Sequence, residues 1–353
     1  MLSHPQGRAC SPLTPDPLLA MNLATLRARL DAIPRGHFAS RPTPVRALDR
    51  LRAALGPEVP ELVAKLDAET GFALGGNKVR KLDRVLAPSL LRGVTHLVTT
   101  GGPQSNHCRV TAAAAARLGL GCVLVVDGPQ TDPPTGNALL HRRFGAHIHS
   151  VSDRSARDAA LREVSDEIAQ AGGQALVIPL GASTARGSLG YVEALVELHD
   201  QLGPEIDRAL HIFVSSSSGG TLAGLWAGLA LLGRDDLDVT AVSADTPAHA
   251  LRTRAETLAR EALVLLETDP DAVDRVAARV DVRDDQVGDG YGRATEASTE
   301  ATTLMARSEG LLVDPWYTAK AAAGMIHAMR SGRFPTGDRV LFWHTGGQPG
   351  IFA

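Results

Sequence analysis

Cysteine is scarce in this chain. Its 353 residues hold only Cys10, Cys108 and Cys122. An odd, scattered set excludes a disulfide framework and fits a reducing cytoplasmic setting. Neither CxxC nor HExxH occurs. His147 and His149 alternate on an expected strand, but a lone pair of this kind ordinarily fills surface or core, so no metal is expected. No apolar run reaches the roughly 18 residues of a membrane helix, so no membrane contact is expected. There is no long basic run, and the net charge is −3, which argues against nucleic acid as a partner.

Apolar residues, in contrast, make up 44% of the chain, enough for two domains or one large α/β unit. Residues 1–20 contain four prolines and lack the regions of a signal peptide. They read as a disordered tail, or as a start assigned too far upstream. Met21 opens an amphipathic helical pattern. Residues 40–47 read as a Pro-rich loop, and 61–67 as a strand. From Lys78 onward, helical and strand patterns alternate, which implies parallel sheets with helices on their faces. The strand patterns include THLVTT (95–100), CVLVVD (122–127), LHIFVSS (210–216) and RVLFWHTGG (339–347). Residues 181–191 read as a Gly/Ser loop and 249–280 as charged helix. The expected division is discontinuous: a small unit, 82–190, is inserted into a larger one formed by 21–81 and 191–353.

Three glycine-bearing stretches carry the chemistry. GGNKVRKLD (75–83) places Lys78 in a first helical turn, with Asn77 as the expected cap. The positive end of a helix dipole disfavours a cation there, and a lysine so placed is suited to act as a base or to form an imine. A second stretch, GGPQSNHCR (101–109), sets Ser105 and Asn106 where free backbone N–H groups collect, which suits a carboxylate. Simple helix capping is the alternative use of both. The third, VSSSSGGTLAGL (214–225), runs a strand through Ser218, Gly219, Gly220 and Thr221 into a helix, which suits a phosphate. That segment is also one residue short of a GxGxxG dinucleotide fingerprint, with Asp245 at the end of the next strand. A nicotinamide oxidoreductase is therefore the rival of another class. Thr221 counts against it, because its side chain would crowd a pyrophosphate.

Over about residues 21–353 the sequence resembles the pyridoxal-phosphate (PLP) enzymes of the tryptophan-synthase-β-like fold, fold type II. Within them it resembles the branch of D-cysteine desulfhydrase and 1-aminocyclopropane-1-carboxylate (ACC) deaminase. GGNKxRKL, QSNHxR, VDPWYTAKAAAGM (313–325) and HTGGQPGIFA (344–353) carry the resemblance, with GYG (290–292) as a tyrosine loop. The resemblance implies two α/β domains and a homodimer. It implies that Lys78 holds PLP as an imine, that Lys81 and the 218–221 turn bind its phosphate, and that Asn106 contacts its ring hydroxyl. Ser105, with Gln104, Asn106 and His107, would receive the substrate carboxylate. Tyr291 and Tyr317 match the branch's active-site tyrosines; solvation of Lys81 and plain packing of the tyrosines are the bland alternatives. The branch's usual Lys-Arg-(Asp/Glu)-Asp run is absent, since Lys65 is followed by Leu66 and Asp67.

Two positions discriminate within the branch. ACC deaminases carry a glutamate facing the pyridine nitrogen where this chain has Thr318, and a leucine where it has Thr345. A neutral hydroxyl leaves the ring a weaker electron sink, sufficient to expel a β-thiol but poor for opening a cyclopropane. The expected activity is therefore β-elimination from a small amino acid, first D-cysteine giving pyruvate, sulfide and ammonia. ACC deamination and cysteate sulfo-lyase activity are the alternatives within the class.

Overall fold

The computed structural model describes residues 21–353 except 130, 204–208, 235 and 291. The expected tail, residues 1–20, and Tyr291 lie outside the described residues.

The chain opens with α1 (Leu23–Ala32), β1 (Val45–Ala47), α2 (Asp49–Leu55), β2 (Glu61–Leu66) and α3 (Asn77–Val85). It continues through β3 (His96–Gly101), α4 (Asn106–Leu118), β4 (Gly121–Asp127), α5 (Gly136–Arg143), β5 (His147–Val151), α6 (Arg157–Gln170) and β6 (Ala175–Val177). Then come α7 (Ala185–Leu202), β7 (Leu210–Ser216), α8 (Gly220–Leu232), β8 (Leu237–Ser243), α9 (Ala248–Leu265), α10 (Ala272–Arg275) and β9 (Val280–Arg283). The last elements are α11 (Glu296–Glu309), α12 (Thr318–Arg330) and β10 (Arg339–His344).

These strands form two sheets, ordered β1-β2-β10-β7-β8-β9 and β5-β4-β3-β6. Every pairing is parallel except β1 with β2. Parallel strands must be covered on both faces, and their near-continuous apolar runs follow from that. One face of the large sheet packs on α7, α8 and α9; Ile212, Val239 and Leu341 meet Leu189, Leu225 and Leu263 there. The other packs on α2, α11 and α12, where Phe213 and Phe342 meet Met305 and Met325. The small sheet lies between α3 and α4 on one side and α6 on the other.

The expectation of a loop over 181–191 is corrected. Thr184 caps α7 by accepting a bond from the Gly187 backbone N–H, and the helix starts at Ala185. Its glycines are there for close packing: a Cβ on Gly190 would lie 2.4 Å from the Arg80 carbonyl oxygen of α3. Residues 45–47 form an edge strand, since Lys65 is drawn into the sheet opposite Val45. The charged stretch after residue 248 is not one helix. α9 stops at Leu265, and Val280–Arg283 adds the last strand beside β8.

Candidate active site

The lysine turn is built first by its glycines. Gly75 and Gly76 hold φ of +65° and +112°, and a Cβ on Gly75 would sit 1.9 Å from the Ala68 carbonyl oxygen. Only glycine fits that turn. Gly76, not Asn77, is the cap of α3. Asn77 has moved into the first turn because its side chain bonds elsewhere, donating to Thr221 Oγ1 at 3.0 Å. That bond ties the lysine helix to the start of α8.

Lys78 is buried, with Nζ 5.7 Å from the centroid of the Tyr317 ring. Burial pulls its pKa down from 10.5 to about 8. Lys81, one turn on, lies further below its ordinary range through burial and the neighbouring Lys78 charge. Its Nζ donates to Ser183 Oγ at 3.2 Å. Ser183 also receives the Gly220 backbone N–H at 3.1 Å and lies 2.7 Å from Ser218 Oγ. Lys81 and the 218–221 turn therefore converge on one point, Ser183, within the stretch expected to be a Gly/Ser loop. Its signal was Thr184, a capping residue that places Ser183 just before a helix.

Ser105 caps α4, accepting from the Cys108 backbone N–H at 3.2 Å. This leaves the first-turn amides of α4 at the cavity wall. Lys78, Ser105, Asn106, His107, Ser218 and Tyr317 line one cavity of about 590 Å³, counting its open mouth. His107 is buried; its Nε2 meets Thr99 Oγ1 at 2.7 Å, and burial beside Lys78 and Lys81 holds it well below its usual pKa. Gln104 does not line the cavity. Its side chain accepts from the Asn137 N–H at 2.8 Å and donates to the Thr135 carbonyl at 3.1 Å, fastening α5.

Behind Tyr317, Asp314 accepts the backbone N–H groups of Tyr317 at 2.7 Å and Thr318 at 3.1 Å. Burial raises its pKa to about 6. The aspartate in VDPWYT, three residues before Tyr317, signals this role. Thr318 Oγ1 donates to the Gly346 carbonyl at 2.6 Å. Among the described residues, the adjoining Thr345 Oγ1 is buried without a hydrogen-bond partner, as are Ser215 and Ser216 Oγ ahead of the glycine turn. At the mouth, Arg154 bonds Asp245 at 3.0 Å.

Two parallel sheets flanked by helices, with a deprotonation-prone lysine facing two helix starts, define enzymes that hold an aldehyde on an amine and an anion at a helix N-terminus. The chain belongs to the pyridoxal-phosphate-dependent enzyme family, whose description matches residues 37–346. The D-cysteine desulfhydrase of Salmonella typhimurium is 37% identical over 329 residues, spanning 92% of this chain and 97% of that protein. That of Salmonella choleraesuis is 36% identical over the same shares. Among solved structures, an ACC deaminase homologue superposes with a TM-score of 0.82 at 32% identity, covering 93% of this chain and 96% of its own. Maize serine racemase shares the fold, at a TM-score of 0.61 and 17% identity over 93% and 95%.

This is an α/β, fold type II protein, and its cofactor is pyridoxal phosphate. The residues present fit that group. Lys78 is a lysine whose burial favours the neutral amine, the 218–221 turn gathers Lys81, Ser183 and Ser218 about the start of α8 as a phosphate would need, and Thr345 holds a hydroxyl with no partner among the described residues.

Proposed function

We propose that this enzyme eliminates the β-substituent of a small amino acid, first D-cysteine, giving sulfide, pyruvate and ammonia. The observation that carries the reading is the buried pair Thr318 and Thr345, which flank the Gly346 turn behind the cavity lining. Two neutral hydroxyls stand there, and the neighbouring carboxylate, Asp314, is occupied by two backbone N–H groups. The relatives named desulfhydrases support the same choice. Bound pyridoxal phosphate supplies the electron sink that acidifies the α-carbon.

Lys78 anchors the cofactor's aldehyde. Lys81, Ser218, Gly219, Gly220 and Thr221 hold its phosphate, and Asn106 its ring hydroxyl. Thr318 and Thr345 would be the groups offered to its ring nitrogen. Thr318 already donates its proton to Gly346, so Thr345 is the hydroxyl with a proton to offer. The Ser105 hydroxyl and the backbone N–H groups of Asn106 and His107 receive the substrate carboxylate, the Ser105 N–H being held by the Gly102 carbonyl, and Gln104 braces that turn from behind through α5. Lys78, or Ser105 acting with it, takes the α-proton, which a low amine pKa favours. Tyr317 beside the lysine, and Tyr291, hydrogen-bond the departing group. The working unit is read as a cytoplasmic homodimer, each chain divided into 21–81 with 191–353 and an inserted unit 82–190.

The test supplies D-cysteine, L-cysteine, cysteate and ACC separately and assays the keto acid. Pyruvate and sulfide from D-cysteine, with nothing from ACC, is the expected result. 2-Oxobutanoate from ACC would overturn the threonine argument. Lys78→Ala should lose the visible cofactor band near roughly 420 nm; a variant that stays yellow holds its cofactor on another lysine.

A further inference from the structure

Arg109, in the second turn of α4, is fully buried, yet it forms no ion pair among the described residues. Its Nη1 donates to Asn106 Oδ1 at 2.9 Å and to Asn137 Oδ1 at 3.0 Å. Its Nη2 donates to the Gly75 carbonyl at 2.7 Å, and its Nε has no partner among the described residues. A buried guanidinium held only by neutral oxygens is expensive, so its persistence asks for a use.

The contacts settle the orientation of the Asn106 amide. A guanidinium can only donate. Asn106 Oδ1 takes that donor and also Asn137 Nδ2 at 2.9 Å. Both acceptor directions of the oxygen are filled from behind, so the NH₂ end is the one left for the cavity that Asn106 lines. We infer that Arg109 is a positioning residue: it fixes Asn106 as a donor toward an anionic oxygen of the bound cofactor and places an unneutralised positive charge behind that bond. The inference rests on the proposed contact between Asn106 and the cofactor's ring hydroxyl. The same cation grips the Gly75 carbonyl, so the lysine turn and the Ser105 turn are held in register by one side chain.

The charge persists at neutral pH, because burial lowers its pKa only to about 10. Other titratable groups face it. Asp314 attracts it without reaching it, and His141, pushed down to about 4 by burial, is neutral at pH 7. Lys78 and His107 line the same cavity as Asn106, and burial beside Lys78 and Lys81 keeps His107 well below its usual pKa. A fixed cation lowers the pKa of any proton held nearby.

The experiment titrates the visible band of the holoenzyme against pH. Arg109→Met should move the midpoint up by one unit or more, whereas Arg109→Lys, which keeps the charge, should stay within a few tenths of the parent. Asn137→Ala removes one of the two donors behind Asn106 and should move the midpoint up by less. If Arg109→Met yields no folded protein, Asn137→Ala decides alone, and an unchanged midpoint there overturns the proposal. Equal midpoints in all three variants also overturn it, leaving Arg109 a structural tie. Failure of the underlying contact looks different: Asn106→Ala itself would then leave the midpoint at the parent value.

Discussion

At the scale of the residue, two buried polar groups govern the site. Lys78 has its ammonium disfavoured by burial, so the neutral amine population is set by a pKa of about 8 instead of 10.5. The rate at which the apo-protein takes up pyridoxal phosphate should rise about tenfold per pH unit below that value and level above it. Stopped-flow absorbance measures this, and a midpoint near 10 would contradict it. The second group is Asp67, whose place in the LysLeuAsp departure at 65–67 is now visible. It accepts from Thr43 Oγ1, Arg80 Nε, Tyr191 OH and Trp343 Nε1, at 2.5 to 2.9 Å. Arg80 belongs to α3 and shares Glu197 with Lys65. Asp67→Ala leaves the Nε of a buried arginine and two aromatic donors unsatisfied, and should cost about 3–5 kcal/mol in urea unfolding. Glu197 gives the matching pH dependence. Arg80 and Lys65 overcome its burial and hold its pKa at about 2, below the usual 4.5. A depressed carboxylate pKa stabilises the fold above pH 4.5, and that contribution fades as pH falls toward 2. Glu197→Gln should flatten the acid limb of stability over that window.

At the scale of the element, the strand-and-helix alternation was readable because each strand is a short apolar run and each helix begins at a cap or a glycine turn. The three motif turns were readable for the same reason, since glycine and serine at a strand end have few other uses. What escaped was glycine serving contact instead of conformation. Gly187 and Gly190 lie inside α7 because α3 and the preceding turn press against it, and no local pattern distinguishes that from a loop. Gly190→Ala should push α3 off its seat, lower the melting temperature by several degrees and weaken cofactor binding. Calorimetry and fluorescence titration follow both. Ser183, Asp314 and Arg109 escaped for a related reason. Each acts through a partner 35 or more residues away or through a backbone group, a relation that periodicity does not carry.

At the scale of the whole molecule, the cavity lies where the two sheets face one another, and charged side chains meet across its mouth. Arg154 follows β5 of the small sheet, Asp245 follows β8 of the large one, and Ser217 donates to the same carboxylate at 2.7 Å. Arg154 is half in solvent although Asp245 is nearly buried, so the pair is screened from one side and should add little to stability. Asp245→Asn should leave the melting temperature nearly unchanged while raising KM several-fold for small amino acids; an unchanged KM would remove the mouth from substrate capture. The order of strands has one more consequence. β10, residues 339–344, runs between β2 and β7 in the middle of the large sheet, whereas the four strands of the small sheet end by residue 177. On the ribosome, therefore, the small sheet can close early, but the large one must wait with an open seam until residues 339–344 have emerged. Stalled nascent chains ending before residue 339 should protect the small sheet from protease and leave the large one cleavable, which makes this enzyme a natural client for chaperones that shield an unfilled sheet.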